Sequence, residues 1–166
     1  MVRLAIISDT HVPSREPRIP DWVRETCADA DHVVHAGDFD SPETYEAVRE
    51  FSPELTAVTG NVDPPSLDLP EVATVELGGV TFVVTHGTGP LDGYRNRVVG
   101  AVERTADGEA VGICGHTHEV MDETVRGVRL LNPGSATGAA PAIEPTMYVA
   151  AVADGEVSVE LREGSR

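Results

Sequence analysis

Apolar residues along this chain come in short runs that stop at glycine, asparagine, aspartate or histidine, and the first half alternates these runs with segments carrying helix-start signals. Strands are predicted near residues 2–8, 32–36 and 54–59, with helices near 20–29 and 42–51, giving a βαβαβ order. Pro20-Asp21 marks one helix start, and Ser41-Pro42-Glu43 marks a second with proline at the first helical position. Pro64-Pro65 closes that half. Beyond it, runs at 71–77 and 80–85 flank Gly78-Gly79 as a hairpin, and Tyr94, Val98, Val99 and Val102 recur at helical spacing within 92–105. Strands are then expected near 109–114, 120–125, 128–131, 146–153 and 156–161, the last two turning at Asp154-Gly155.

The polar residues at the strand ends carry the chemistry. Asp9-Thr10-His11, Gly37-Asp38, Gly60-Asn61, His86-Gly87 and Gly115-His116-Thr117-His118 each fall where an apolar run ends. The carboxyl edge of an α/β sheet is where ligands from strands distant in sequence converge. Together they offer seven groups: Asp9, His11, Asp38, Asn61, His86, His116 and His118. Imidazoles combined with carboxylate and amide oxygens suit manganese, iron, cobalt, nickel or zinc better than calcium or magnesium. Seven groups exceed one tetrahedral ion. If one carboxylate bridges, two ions each have four protein ligands and keep open positions. Any one of these residues alone has an ordinary hydrogen-bonded reading; five glycine-flanked motifs in series do not.

With these motifs in order, and with Gly60-Asn61-Val62-Asp63, Thr85-His86-Gly87 and Asn132-Pro133-Gly134-Ser135 among them, the chain resembles the calcineurin-like metallophosphoesterases, in particular the small single-domain phosphodiesterases of bacteria and archaea. The resemblance implies an α/β fold, a four-layer αββα sandwich of two mixed sheets. It also implies that Asp9, His11 and His118 bind one metal, that Asn61, His86 and His116 bind the other, and that Asp38 bridges. Two divalent ions are then expected, manganese first and nickel, cobalt, iron or zinc as the others. They would drive phosphoester hydrolysis, a phosphodiester above a monoester, by in-line attack of a metal-bound hydroxide, with Asp38, Asn61 and His86 at the catalytic centre. The alternative is the same fold used as a binding scaffold, as in the retromer subunit that the family also resembles. Two departures stand out. Val62 occupies the place where many members have a proton-donating histidine, and Thr88 stands where small phosphodiesterases commonly complete His-Gly-His.

Length and charge refine this picture. A chain of 166 residues is expected to form one domain, 1–166, and to bury about 70% of its extended surface. No run approaches a membrane span, and the amino terminus enters a strand without a signal-peptide pattern, so a cytoplasmic location and no membrane partner are expected. The charge is -16, with 28 acidic and 12 basic residues, and all twelve basic residues are arginine. That excess suits a high-salt, halophilic cytoplasm, where a Debye length of about 3 Å screens self-repulsion. It also counts against broad nucleic-acid binding and leaves a small phosphoester as the expected partner, with a homo-oligomer left open. Cys27 and Cys114 read as buried apolar residues rather than a disulfide or ligands.

Residues beside the motifs have expected supporting roles. His35 points opposite to Val34 and is expected to make a hydrogen bond behind the site, whereas His32 is expected to face solvent. Asp63 is expected either to orient a ligand histidine or to cap the turn before Pro64. Asp40 reads as a helix-start residue. Arg95 and Arg97 read as a solvated helix face, with a phosphate clamp as the alternative. Asn132 to Ser135 reads as a turn that supports the histidine loop.

Overall fold

The computed structural model describes residues 1–166. The elements follow in the order β1 (Val2–Ile7), α1 (Asp21–Ala28), β2 (His32–His35), α2 (Pro42–Phe51), β3 (Leu55–Ala57), a 3-10 turn (Pro65–Leu67), β4 (Val72–Leu77), β5 (Val80–Thr85), α3 (Tyr94–Thr105), β6 (Val111–Ile113), β7 (Val120–Val125), β8 (Val128–Pro133), β9 (Thr146–Ala153) and β10 (Glu156–Glu163). They build two five-stranded sheets, ordered β10-β9-β1-β2-β3 and β4-β5-β6-β8-β7. Both are mixed: β1, β2 and β3 run parallel while β9 is antiparallel to its neighbours β1 and β10, and β5, β6 and β8 run parallel while β4 is antiparallel to β5 and β7 to β8.

Side-chain alternation along the strands generates four layers. Leu4, Ile6 and Val34 of the first sheet meet Phe82, Val84, Ile113 and Leu131 of the second in the core between the sheets. Their sequence neighbours Ala5, Ile7 and Val33 point the other way, onto Val23 and Cys27 of α1 and Val48 of α2. On the outer face of the second sheet, Leu130 and Met121 pack under Tyr94, Val98 and Val99 of α3. The result is the αββα sandwich. Because Phe82 is wholly buried between the sheets, cutting it to alanine is expected to cost about 3–5 kcal/mol.

Helix ends follow the sequence signals. Ser41 caps α2 by accepting the Thr44 amide hydrogen at 3.2 Å, with Pro42 in the first turn. Asp40 is not that cap. It has φ 97° and accepts the Ser14 amide hydrogen at 2.8 Å, tying the loop after β1 to the loop after β2.

Several strands differ in length from expectation: β6 is shorter (Val111–Ile113) and β10 longer (Glu156–Glu163), and for β3 and β8 the reason is visible. β3 stops at Ala57 because the Thr59 amide leaves the sheet to bond Pro70 O at 2.9 Å. β8 runs on through Asn132 and Pro133, which pair with Met121 and Val120 of β7, so the turn begins only at Gly134, with φ 75°. Parallel strands from both sheets end at one edge, and the loops leaving that edge carry the polar motifs.

Candidate metal centre

Asp9 and His11 leave β1, Asp38 follows β2, Asn61 follows β3, His86 follows β5, and His116 and His118 follow β6. The seven residues come together. Potential ligand atoms of Asp9, His11 and His118 form one group, and those of Asp38, His86 and His116 form a second, each lying within 4.8 Å of one another. Asn61 Oδ1 joins the second group, 3.0 Å from His86 Nε2 and 3.1 Å from His116 Nδ1. Asp38 lies between the groups, its Oδ2 being 3.1 Å from His86 Nε2 and 3.5 Å from His11 Nε2.

Backbone carbonyls orient three of the imidazoles. His86 Nδ1 faces Ala36 O at 2.7 Å, His118 Nδ1 faces Ala139 O at 2.8 Å, and His116 Nε2 faces Gly89 O at 2.8 Å. A proton on each carbonyl-facing nitrogen leaves the other nitrogen bare toward the centre, as a metal ligand requires.

The donor set fits divalent cations. Asp9 Oδ1 is buried with no hydrogen-bond partner, although His118, His11 and His86 nitrogens stand 3.3, 3.7 and 3.9 Å from it. None of those contacts has hydrogen-bond geometry, so the attraction is electrostatic. An orphaned buried carboxylate oxygen is costly unless a cation satisfies it. His11 Nε2 and His118 Nε2 also approach to 3.2 Å, within hydrogen-bond distance, so both nitrogens face the same point.

The charges of the metal-free network are mutually dependent. Burial opposes the Asp9 charge, but the His11 and His118 imidazoles outweigh it and hold this carboxyl well below the usual range. Burial likewise opposes the Asp38 charge, and the bond from His86 overcomes it. His86 itself is pushed up to about 9, against its burial, by the Asp38 bond and the charge of Asp9. Cations replace those protons when they bind.

The loops hold the candidate ligands in an uncommon backbone conformation. Asp9, His11, Asp38, His116 and His118 have φ of 54°, 45°, 65°, 73° and 63°, so five of the seven are left-handed. Glycine beside them makes room: a Cβ at Gly60 would collide with Asp38 Oδ1, and one at Gly115 with Ser8 Oγ.

Supporting residues depart from expectation in places. Asp63 neither orients an imidazole nor caps the following turn. It accepts amide hydrogens from Asp38, Gly60 and Asp40 at 2.9, 2.8 and 3.0 Å, joining the Asp38 and Asn61 loops. His35 faces the helix layer, as expected, with Nδ1 accepting from Gly37 N at 3.0 Å, Nε2 3.1 Å from Thr10 Oγ1, and its ring stacked 3.6 Å from Phe39. Burial depresses its pKa to about 3. His32 is half-buried rather than solvent-facing, bonded to Thr56 Oγ1 at 2.7 Å. Asn132 does support the histidine loop, donating to Gly115 O and Thr117 Oγ1, both at 3.0 Å. Arg95 pairs with Glu123 on the exposed face of α3. Cys114 is buried against Leu131 O, and burial pushes its thiol up to about 12.

Sequence reasoning missed Ser8 and Tyr94. Ser8 Oγ donates to Asp9 Oδ2 at 2.6 Å, and the Tyr94 hydroxyl bonds Gly115 O. Ser8 directly precedes Asp9, a signal that was available. Tyr94 read only as an apolar helix position.

A constellation of this kind at the shared edge of two mixed sheets defines a metal-site α/β sandwich. The profile of the calcineurin-like phosphoesterase superfamily domain matches residues 2–155, and the chain belongs to that family. It is similar to a probable metallophosphoesterase of Methanothermobacter thermautotrophicus, 34% identical over 137 residues, 81% of this chain and 77% of that one. Among solved structures it resembles a novel archaeal phosphodiesterase, with 25% identity, TM-score 0.74, and coverage of 97% of this chain and 100% of that one. It also resembles Vps29 of Entamoeba histolytica in complex with zinc, with 28% identity, TM-score 0.73, and coverage of 98% and 99%. No helix is long and apolar enough to cross a membrane.

Proposed function

We propose that residues 1–166 act as one domain, a dinuclear metal-dependent phosphoesterase that hydrolyses small phosphodiesters. In this reading Asp9, His11 and His118 hold one ion, Asn61, His86 and His116 hold the other, and Asp38 bridges, with manganese the first candidate. The observation that carries it is the wholly buried Asp9 Oδ1, which has no hydrogen-bond partner inside a ring of imidazole nitrogens. When bound, two divalent ions supply Lewis acidity toward phosphoryl oxygens and an acidified water. Hydrolysis puts the water oxygen on phosphorus, breaks the P–O bond to the leaving alcohol and returns a proton to that alcohol.

The chain's own residues set the limits of that reaction. Four of the six histidines belong to the ligand set, His35 faces the helices, and His32 bonds Thr56. No imidazole remains to protonate the leaving group, and Val62 donates only its amide hydrogen, to Asp38 Oδ1 at 3.0 Å.

The binding-scaffold reading stays in play because the Vps29 structure that this chain resembles is complexed with zinc, so an intact metal set does not by itself separate the two. A matrix of Mn, Ni, Co, Zn and Mg against phosphodiesters, cyclic nucleotides and monoesters in molar KCl separates them. Metal-dependent turnover of a diester, abolished in Asp38→Asn run alongside, is the expected result. A metal-loaded protein inert to every ester would overturn the enzyme reading.

A further inference from the structure

Beside the second ligand group a cleft of about 480 Å³ opens, lined by Asn61 and His86 at one end and by Arg97, Ala101 and Arg104 of α3. Neither of its arginines is paired with a carboxylate. Seven of the twelve arginines hold a carboxylate in this acidic chain, and Arg97 and Arg104 are among the five that hold none, with Arg3, Arg15 and Arg24. Arg97 is fixed by donating to Gly87 O at 2.9 Å and Pro90 O at 2.8 Å, and its Nε is buried without a partner. Arg104 is exposed and makes no ion pair or hydrogen bond. Seven positions apart, the two lie on the same helix face, about 10 Å along its axis. Glu71 also lines the cleft, but it stands in no ion pair with either.

With 28 acidic residues available, leaving two guanidiniums of one cleft without a carboxylate costs an opportunity for pairing that most other arginines take. A free guanidinium offers a fork of donors matched to phosphate oxygens. We infer that this cleft selects phosphoesters in which one arm carries a second phosphate, bound by Arg104 and the open side of Arg97 while the scissile phosphate sits at the Asp38 centre. The inference rests on the phosphoesterase reading for its catalytic consequence, but the anion site itself needs no turnover.

The test therefore has a binding arm and a kinetic arm. In metal-free protein, the guanidinium Nε–H signals of Arg97 and Arg104 are followed by NMR during titration with thymidine 3′,5′-bisphosphate, and with thymidine 5′-monophosphate for comparison. Both signals are expected to shift with the bisphosphate, with apparent affinity about tenfold above the monophosphate. Arg104→Gln should remove most of that advantage and Arg104→Lys should restore part of it. In the metal-loaded protein, the kcat/KM preference for pTpT over TpT should fall at least about fivefold in Arg104→Gln. Unmoved arginine signals, or equal affinity for the two nucleotides, would overturn the anion site. Arginine shifts accompanied by no hydrolysis of either dinucleotide would sink the phosphoesterase reading alone.

Discussion

Asp63 Oδ2 accepts the amide hydrogen of Asp38 at 2.9 Å and that of Gly60 at 2.8 Å, so one oxygen fastens together the loops after two neighbouring strands. Asp38 carries φ 65°, a conformation that needs such an anchor. Asp63→Ala removes all three amide bonds made by this carboxylate. It should destabilise the protein by about 1–3 kcal/mol and weaken metal binding about 10- to 100-fold. Denaturant unfolding and calorimetric metal titration measure the two effects. Unchanged metal affinity would show that the Asp38 loop holds itself.

His35 gives a pH dependence whose sign is fixed. Its folded pKa, depressed by burial to about 3, lies below the ordinary 6.5, so the unfolded chain binds the proton more readily. Its contribution is complete above about 6.5 and declines as pH falls toward the folded value, with a limiting slope of about 1.4 kcal/mol per pH unit. His35→Gln should flatten the stability profile between pH 6.5 and 5 in metal-free protein. Parallel urea titrations of parent and variant check it, and parallel slopes would count against a neutral His35.

Leaving-group dependence follows from Val62 and from the orientation of His35. With no imidazole in reach, aryl phosphodiesters with acidic leaving groups should be cleaved far faster than alkyl diesters, since a general acid typically contributes about 10² to 10⁴. Rates across a series of aryl diesters, on the parent and on Val62→His, provide the measurement. A flat series with chemistry rate-limiting would reveal a donor elsewhere.

Charge predicts salt behaviour. A chain of -16 should gain stability as KCl rises from about 0.1 M to above 1 M, where the Debye length shortens to about 3 Å. The melting temperature as a function of KCl tests this, and a flat or falling trend contradicts it.

Most of the scaffold and the convergence of the seven polar residues are legible because they are written in local chemistry. Apolar runs ending at glycine-flanked Asp, Asn and His placed each strand end within a few residues, and those ends bring the ligands together. What escaped depended on partners distant in sequence. Nothing near Asp63 announces that its carboxylate will meet the Asp38 amide, and no side-chain code marks Ala36, Gly89 and Ala139 as the carbonyls that orient imidazoles. β3 is shorter than its apolar run suggests because β propensity near Thr59 is blind to a competing acceptor at Pro70. The unpaired state of Arg104 is likewise visible only once every neighbouring carboxylate has been located.

The left-handed turns at Asp9, His11, Asp38, His116 and His118 have a bearing on how this site can be altered at all. Among residues with a Cβ, aspartate, asparagine and histidine are the ones that accept such a turn most readily, and they are also the ones that ligate hard and borderline cations. Loop shape and donor chemistry thus pass through one narrow filter. An alanine or valine scan would perturb both at once and report loop collapse as though it were lost chemistry. Exchanges within the filter, aspartate to asparagine and histidine to asparagine, change the donor while sparing the turn. A chain that kept these five turns could therefore display much of the ligand signature whether or not it held a metal.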